Sequence, residues 1–262
     1  MKLSGGFGEG VLAATTRWVG CRQYDYDDND PYTTSRLRQY FGKATLHGLA
    51  GKRVVDFGCG YGADVVAVAL EGAAAVVGVD VQEPRLEAAR RCAKDHGVGE
   101  RCRFVNATAD REGYAALGEF DAAISIDAFE HFADPAAVLA EMRRLLRPGG
   151  RVLISFGPPW KHPYGAHLDH FNRMPWIHFI FADATIMAVR QRYFDDGATR
   201  LEDVAGGLNR MTVARFEEIV ERSGFRVVTL EPVPIRKLRP LARHRALREY
   251  VTSVVHAELE KC

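Results

Sequence analysis

The run Val54-Val55-Asp56-Phe57-Gly58-Cys59-Gly60-Tyr61-Gly62-Ala63-Asp64 constrains this chain more than any other segment. Apolar residues suited to a buried strand lead into three glycines at alternate positions, and a helix-forming stretch follows at once. Glycine there lets the backbone turn sharply and approach a ligand closely, while the first N–H groups of the helix point back at the turn. A strand, a glycine turn and a helix in that order open a parallel sheet. A tight turn without a ligand is the plainer alternative.

The first half of the chain repeats that rhythm. Residues 53–57 read as the first strand, 64–70 as a helix and 75–81 as a second buried strand. Pro84 then stands at a helix start and Gly97 just past its end. Residues 103–106 and 120–126 read as further strands. Asp134-Pro135 supplies an N-cap and first turn for a helix with Val138, Leu139, Met142, Leu145 and Leu146 on one face. Pro148-Gly149-Gly150 stops it before a fifth strand over residues 151–156. Five strands separated by helices demand parallel pairing through right-handed crossovers. The expected class is α/β, a doubly wound, Rossmann-like sheet.

Two regions depart from the rhythm. Residues 1–50 read as an N-terminal arm and helix, with a lead-in over 1–30 and a helical pattern over 31–49 built on Leu37, Tyr40, Phe41 and Ala44. Residues 157–211 show no alternation, hold Pro158, Pro159, Pro163 and Pro175, and contain four of the nine histidines. They are expected to form an insertion over the carboxyl edge of the sheet, between a core at 51–156 and the rest of the sheet at 212–262. In that last part residues 212–223 give a capped helix, 225–232 a strand and 250–259 a final strand. The basic stretch 236–248 stays undetermined, with a solvated helix face as the default and a phosphate contact as the alternative.

Composition excludes more than it proposes. A length of 262 residues fits one large α/β domain with an insertion. Thirty-five Lys and Arg against 34 Asp and Glu argue against nucleic-acid binding through bulk charge. Five cysteines without C-x-x-C spacing argue against a disulfide framework or zinc ribbon. The start lacks the apolar run of a signal peptide, and no uncharged stretch reaches the ~20 residues of a membrane span. A cytoplasmic protein without a membrane span is expected.

Several residues have chemistry of their own. Asp80 ends the second strand 18 residues after Gly62, where a carboxylate can accept hydrogen bonds from both hydroxyls of a ribose. Its bland reading is a surface acid. Asp110 follows the third strand and could accept from an exocyclic adenine amine, or simply cap a helix before Glu112. Between Trp160 and His178 lie His162, His167, His170 and His178, and imidazole titrates where a base at neutral pH must. Asp169 lies between His167 and His170, which favours those two. The alternative is that the histidines bridge irregular backbone. The greasy stretch from Trp176 to Val189 reads as a cap helix on the sheet edge, or as an acceptor pocket or docking face. Tyr24, Tyr26, Tyr32 and Arg36 could fold over the site from the N-terminal side, or stay exposed.

Taken together these residues resemble the class I S-adenosylmethionine-dependent methyltransferases. Asp56-Phe-Gly58-Cys-Gly60-Tyr-Gly62 looks like the family's glycine motif, Asp80 like its ribose-binding acid and Asp110 like its usual adenine contact. Residues 120–132 resemble the fourth strand with the loop after it, and Leu145-Leu146-Arg147-Pro148-Gly149-Gly150 resembles the approach to the fifth. The match runs from about Val54 to Phe156, with a weaker echo in Leu208-Asn209-Arg210-Met211-Thr212. A dinucleotide-binding fold, which Gly58-x-Gly60-x-x-Ala63 also satisfies, ranks second.

The resemblance implies a seven-stranded, mostly parallel sheet with its last strand antiparallel and a cap insertion after the fifth strand. It implies S-adenosylmethionine as cofactor, held by Asp56, Gly58, Gly60, Gly62, Asp80, Val81, Asp110 and Asp127. It also implies methyl transfer to a small-molecule acceptor through an oxygen nucleophile, with His131, His167 and His170 as candidate catalytic bases. Asp127-x-x-Glu130-His131 with a later His167 or His170 further resembles the metal-binding pattern of ubiquinone-biosynthetic and small-RNA O-methyltransferases, with Asp127 where those have Glu. A divalent metal is therefore carried as an alternative, and no residue is assigned as its ligand. Two other readings stay open: non-methylating chemistry on the same fold, and a cofactor-binding module without turnover.

Overall fold

The structure, a computed structural model, describes residues 2–19 and 34–262. Tyr24, Tyr26 and Tyr32 lie outside the described residues. Seven strands form one sheet: β1 (Arg53–Phe57), β2 (Ala75–Asp80), β3 (Cys102–Asn106), β4 (Phe120–Ile126), β5 (Leu146–Phe156), β6 (Phe225–Pro234) and β7 (Thr252–Lys261). Their order is β3-β2-β1-β4-β5-β7-β6. β1 pairs in parallel with β2 and β4, for example Val55 with Val77 and Ala123, while β7 runs antiparallel to both β5 and β6. The seven-stranded, mostly parallel sheet expected from the resemblance is present, with β7 its one reversed strand.

Side chains alternate across the sheet into two cores. Val55, Phe57, Val77 and Ala123 pack with Phe129, Phe156, Phe216 and Leu259 on one face. Val54, Val76, Ala122 and Ile124 pack with Leu37, Leu46, Val65 and Leu86 on the other. The helices covering these faces include α2 (Arg36–His47), α3 (Ala63–Leu70), α4 (Glu83–Asp95), α5 (Arg111–Ala115), α6 (Pro135–Leu145) and α9 (Val213–Arg222). α2 breaks at Gly42, whose φ of 83° no right-handed helix contains.

Within the N-terminal lead-in, Gly5–Val19 is helix α1. It docks on the insertion, where Leu12 is fully buried among Leu168, Phe171, Phe181 and Ile186. The Leu3 N–H donates to the Ile180 carbonyl and the Ala182 N–H to the Leu3 carbonyl, both at 2.9 Å. Asn172 Nδ2 donates to Thr16 Oγ1 at 2.8 Å. The greasy stretch from Trp176 becomes two short helices, α7 (Ile177–Ile180) and α8 (Asp183–Arg190), which bury Ile177, Phe181, Ile186 and Val189 in this third core. Most of its apolar surface is thus packing rather than pocket. The basic stretch forms turns at Arg236–Leu238 and Leu241–Arg243 and then helix α10 (Arg245–Val251). Among the described residues no helix is long and apolar enough to cross a membrane.

Candidate active site

The glycine turn rises from the carboxyl end of β1 and is tied to β2. The Gly58 and Cys59 N–H groups both donate to the Val79 carbonyl, at 2.8 and 3.1 Å. Gly58 sits at φ +79°, and a Cβ there would lie 2.6 Å from Cβ of Ala128. Only glycine lets the turn pass beneath the loop after β4. At Gly60 no described residue lies within 4 Å of the Cβ position. Gly62 closes the turn as the N-cap of α3.

Asp80 fastens the same turn. Its Oδ2 accepts from the Gly60 N–H at 3.0 Å, and its Oδ1 accepts from the N–H groups of Val81 and Gln82 at 2.7 and 2.9 Å. A carboxylate offers about four lone-pair positions, so one on Oδ2 remains. Accepting from two hydroxyls at once would require a backbone donor to let go.

Three further acids surround the turn. Asp56 is buried beneath it with Oδ1 lacking a hydrogen-bond partner, and burial, then Asp64 and Asp80, raise its pKa well above the usual range. Asp64 accepts from the Ser35 hydroxyl at 2.6 Å and the Leu37 N–H at 3.0 Å, clamping the start of α2, while burial pushes it up to about 6. Asp127 stands at φ +51°. Its Oδ1 accepts from the Ser155 hydroxyl and its Oδ2 from the Tyr40 hydroxyl, both at 3.1 Å. Burial raises its pKa, opposed by those two hydrogen bonds and by Arg36. Asp110 caps α5, where its Oδ1 accepts from the Gly113 N–H at 2.9 Å.

A continuous cavity of about 1290 Å³ runs from this turn to the insertion. Of the expected cofactor residues, Gly58, Asp80, Val81 and Asp127 line it, whereas Asp56, Gly60, Gly62 and Asp110 do not. His131, His167 and His170 all line it. His170 lies edge-on to Phe194, with ring centroids 5.2 Å apart, toward the far end with Arg190.

The centre of the cavity gathers Glu130, His131 and His167, each with a donor atom within 4.8 Å of the others'. Glu130 Oε1 accepts from the Gly157 N–H at 3.0 Å, and Oε2 is buried without a partner among the described residues. Burial, then the Asp127 charge, pushes its pKa up to about 8. His131 Nδ1 donates to the Gly207 carbonyl at 2.5 Å, which fixes the tautomer and leaves the Nε2 lone pair free. His167, at φ +53°, meets His131 edge-on at 5.5 Å and buries an Nε2 without a partner. Burial, then the neighbouring His131, lowers it to about 4, and burial lowers His131 as well. Both rings are therefore neutral near pH 7. Asp127 and His170 stand outside this trio.

Residues that the sequence did not single out hold the trio in place. The Asn209 N–H donates to the Glu130 carbonyl at 2.9 Å, and Asn209 Nδ2 donates to the carbonyls of Phe129 and Phe132 at 2.9 and 2.8 Å. The Leu208–Thr212 echo was the one signal for it. Tyr40 reads as core by its helical spacing, yet its hydroxyl joins that of Ser155 in holding Asp127.

Comparison with known proteins agrees with this architecture. Residues 55–154 match the methyltransferase domain family. Ubiquinone biosynthesis O-methyltransferases of Pseudomonas aeruginosa and Thiobacillus denitrificans are 40% and 42% identical over 108 and 110 residues, covering 41% of this chain and 45% of each relative. The chain thus spans less than half the length of these curated relatives. Among solved structures, an S-adenosylmethionine-dependent methyltransferase from Mesorhizobium loti is similar over 88% of this chain and 100% of its own, at TM-score 0.55 and 19% identity. Magnesium protoporphyrin IX methyltransferase from Synechocystis is similar over 97% of this chain and 100% of its own, at TM-score 0.54 and 17% identity. Residues 55–154 thus resemble a methyltransferase domain, on a fold shared with S-adenosylmethionine-dependent methyltransferases of known structure.

Proposed function

We propose that this chain transfers the methyl group of S-adenosylmethionine to an oxygen of a small-molecule acceptor. The observation that carries this reading is the acidic side of the glycine turn, where Asp80 and Asp127 both line the cavity beside Gly58. A pyrophosphate would meet repulsion from these two carboxylates, which disfavours the dinucleotide alternative. A sulfonium and an ammonium group would be attracted. Gly58 and Gly60 give the cofactor its approach, Asp80 takes the ribose, and Val81 lies beside the adenine. Asp110 joins them only by releasing the cap of α5.

The reaction needs little beyond alignment and a proton acceptor. The acceptor oxygen attacks the methyl carbon in line with the sulfur; the C–S bond breaks and its electron pair stays on sulfur, giving S-adenosylhomocysteine. The oxygen's proton passes to His131 Nε2, the lone pair that the Gly207 hydrogen bond leaves free. His167 stands behind as the second base, and His170 shapes the far wall. The named relatives are O-methyltransferases, which supports oxygen as the nucleophile.

The orphaned Glu130 Oε2 and His167 Nε2, with His131, also form a donor set that fits a divalent cation. Held there, with His131 Nε2 as a ligand in place of a base, the cation would polarise the acceptor oxygen and acidify its proton. Incubation with methyl-labelled cofactor and a panel of phenols, catechols and hydroxy acids tests the assignment. Labelled product with equimolar S-adenosylhomocysteine is expected, and loss of turnover on exhaustive chelation would add the metal. Turnover of a panel member without label transfer would instead indicate non-methylating chemistry. Cofactor binding with no turnover of any acceptor would leave a binding module.

A further inference from the structure

The connection between β6 and β7 carries a strong local charge imbalance. Residues 236–248 read Arg-Lys-Leu-Arg-Pro-Leu-Ala-Arg-His-Arg-Ala-Leu-Arg, with six Lys or Arg and no acid, in a chain whose net charge is +1. The rest of the protein is therefore net acidic. Arg236, Lys237, Arg239, Arg243 and His244 are exposed, and no ion pair joins any of them to another described residue. Leu241, Leu247 and Tyr250 stand among them, each about 40% exposed.

The inner side of this connection is firmly held. Glu249 accepts from the N–H groups of Val213 and Ala214 at 3.1 and 2.8 Å, capping α9. Arg248 pairs with Glu217 at 2.8 Å, and the Ile235 N–H donates to the Val251 carbonyl at 2.7 Å. The outward cations and aliphatic side chains are what remains without a structural task. Its two ends meet where Pro234 pairs with Thr252, next to Ser253 in the cavity wall. The connection thus lies on the carboxyl edge of the sheet, the edge that carries the active site.

We propose that this connection docks the protein on an anionic lipid bilayer, turning the carboxyl edge of the sheet toward the membrane. The outward cations run from Arg236 to Arg243, more than one small anion can engage. Near an anionic membrane surface each contributes about 1 kcal/mol. Leu241 and Leu247 can enter the boundary between headgroups and acyl chains, and Tyr250 suits the same depth. An RNA surface is the poorer fit, because single-stranded bases are held by stacking aromatics, and the cations here are interleaved with leucines. The docking stands apart from the methyl-transfer reading, since it is measured without cofactor or acceptor.

Sedimentation of the full chain with vesicles of phosphatidylcholine, alone or mixed with phosphatidylglycerol, tests it. Binding is expected to the mixed vesicles only, and to weaken with added salt. The triple variant Arg236→Glu, Lys237→Glu, Arg239→Glu should bind at least tenfold less, on the order of the attraction lost. The double variant Leu241→Asp, Leu247→Asp should also bind less. A control triple on the opposite edge of the sheet and nearby, Arg147→Glu, Arg151→Glu, Arg222→Glu, should bind as the parent does. Equal binding to uncharged vesicles, an equal loss in the control, or retention of single-stranded RNA without vesicle binding would each overturn it.

Discussion

The two ends of the cavity are built by opposite means. At the cofactor end the walls come from short turns at the ends of adjacent strands, held by sequence neighbours and by the strand beside them: Asp80 with Val81 and Gln82, Gly58 with Val79, Gly62 with the start of α3. At the acceptor end they come from partners far apart in the chain. Thr16 holds Asn172, Leu3 zips against Ile180 and Ala182, and Asn209 grips Phe129 and Phe132. The first end is a local device that presents the same backbone to every ligand. The second is a small core of its own, completed by α1, and its shape depends on that helix staying docked.

The largest expected effect separates the two ends outright. Gly58→Val forces a side chain against Ala128 at a position of positive φ, where strain and overpacking each cost about 1–3 kcal/mol. Calorimetric titration with S-adenosylhomocysteine should show affinity reduced at least ~100-fold, while the acceptor end stays folded by hydrogen exchange. Wild-type affinity in this variant would mean that the cofactor does not lie over the turn. His131→Ala should do the reverse, lowering turnover of an acceptor found in the panel by about 100-fold or more with cofactor affinity unchanged. His167→Ala should lose less if it is only the second base. Undiminished turnover in both would remove the histidine base.

That difference also sets what the sequence could reveal. The strands, the crossover helices, the glycine turn and Asp80 were legible because their causes are local: period-two burial, glycine at positive φ, Pro and Gly at helix ends. Helix α1 was not legible, because Gly5, Gly6, Gly8 and Gly10 lower its propensity and only docking on the insertion core supports it. The histidines of the insertion were visible as a cluster but not as individuals. Only the fold sorts His167, beside Glu130 and His131, from His178, whose Nε2 donates to the Trp160 carbonyl at 2.8 Å and which lines no part of the cavity. Tyr40 and Asn209 escaped because a helix-face aromatic and a loop amide carry no pattern until their partners arrive.

If α1 completes the acceptor end, weakening its anchor should loosen that end alone. Leu12 is fully buried in the insertion core, and Leu12→Ala should cost about 2–5 kcal/mol locally. Hydrogen exchange across residues 157–211 should accelerate and turnover should fall, while affinity for S-adenosylhomocysteine changes less than about threefold. Equal loosening of β1 and β2 would show that the two ends unfold together and that the contrast between them is one of appearance.

Acid should sharpen the same contrast with the smallest effect. Burial holds His167 near 4, with His162 and His178 also lowered to about 4 by burial first. In the unfolded chain a histidine takes its proton near 6.5, so each of these stabilises the acceptor end above that pH. The contribution is lost as pH falls toward 4, by about 2 kcal/mol at most for His167 between pH 7 and 5. The cofactor end has the opposite sign. Asp64 at about 6 keeps a proton that the unfolded chain releases near 4, so its contribution is present at low pH and is lost as pH rises through 6. Without cofactor, acidification from pH 7 to 5 should lower protection across residues 160–180 and raise it around residues 56–64, in exchange rates corrected for intrinsic pH dependence. A bound sulfonium should erase the second change by favouring the ionised acids, releasing protons that buffer-dependent calorimetry can count. Both ends shifting in the same direction would mean that one shared group, rather than two differently built walls, governs the pH response.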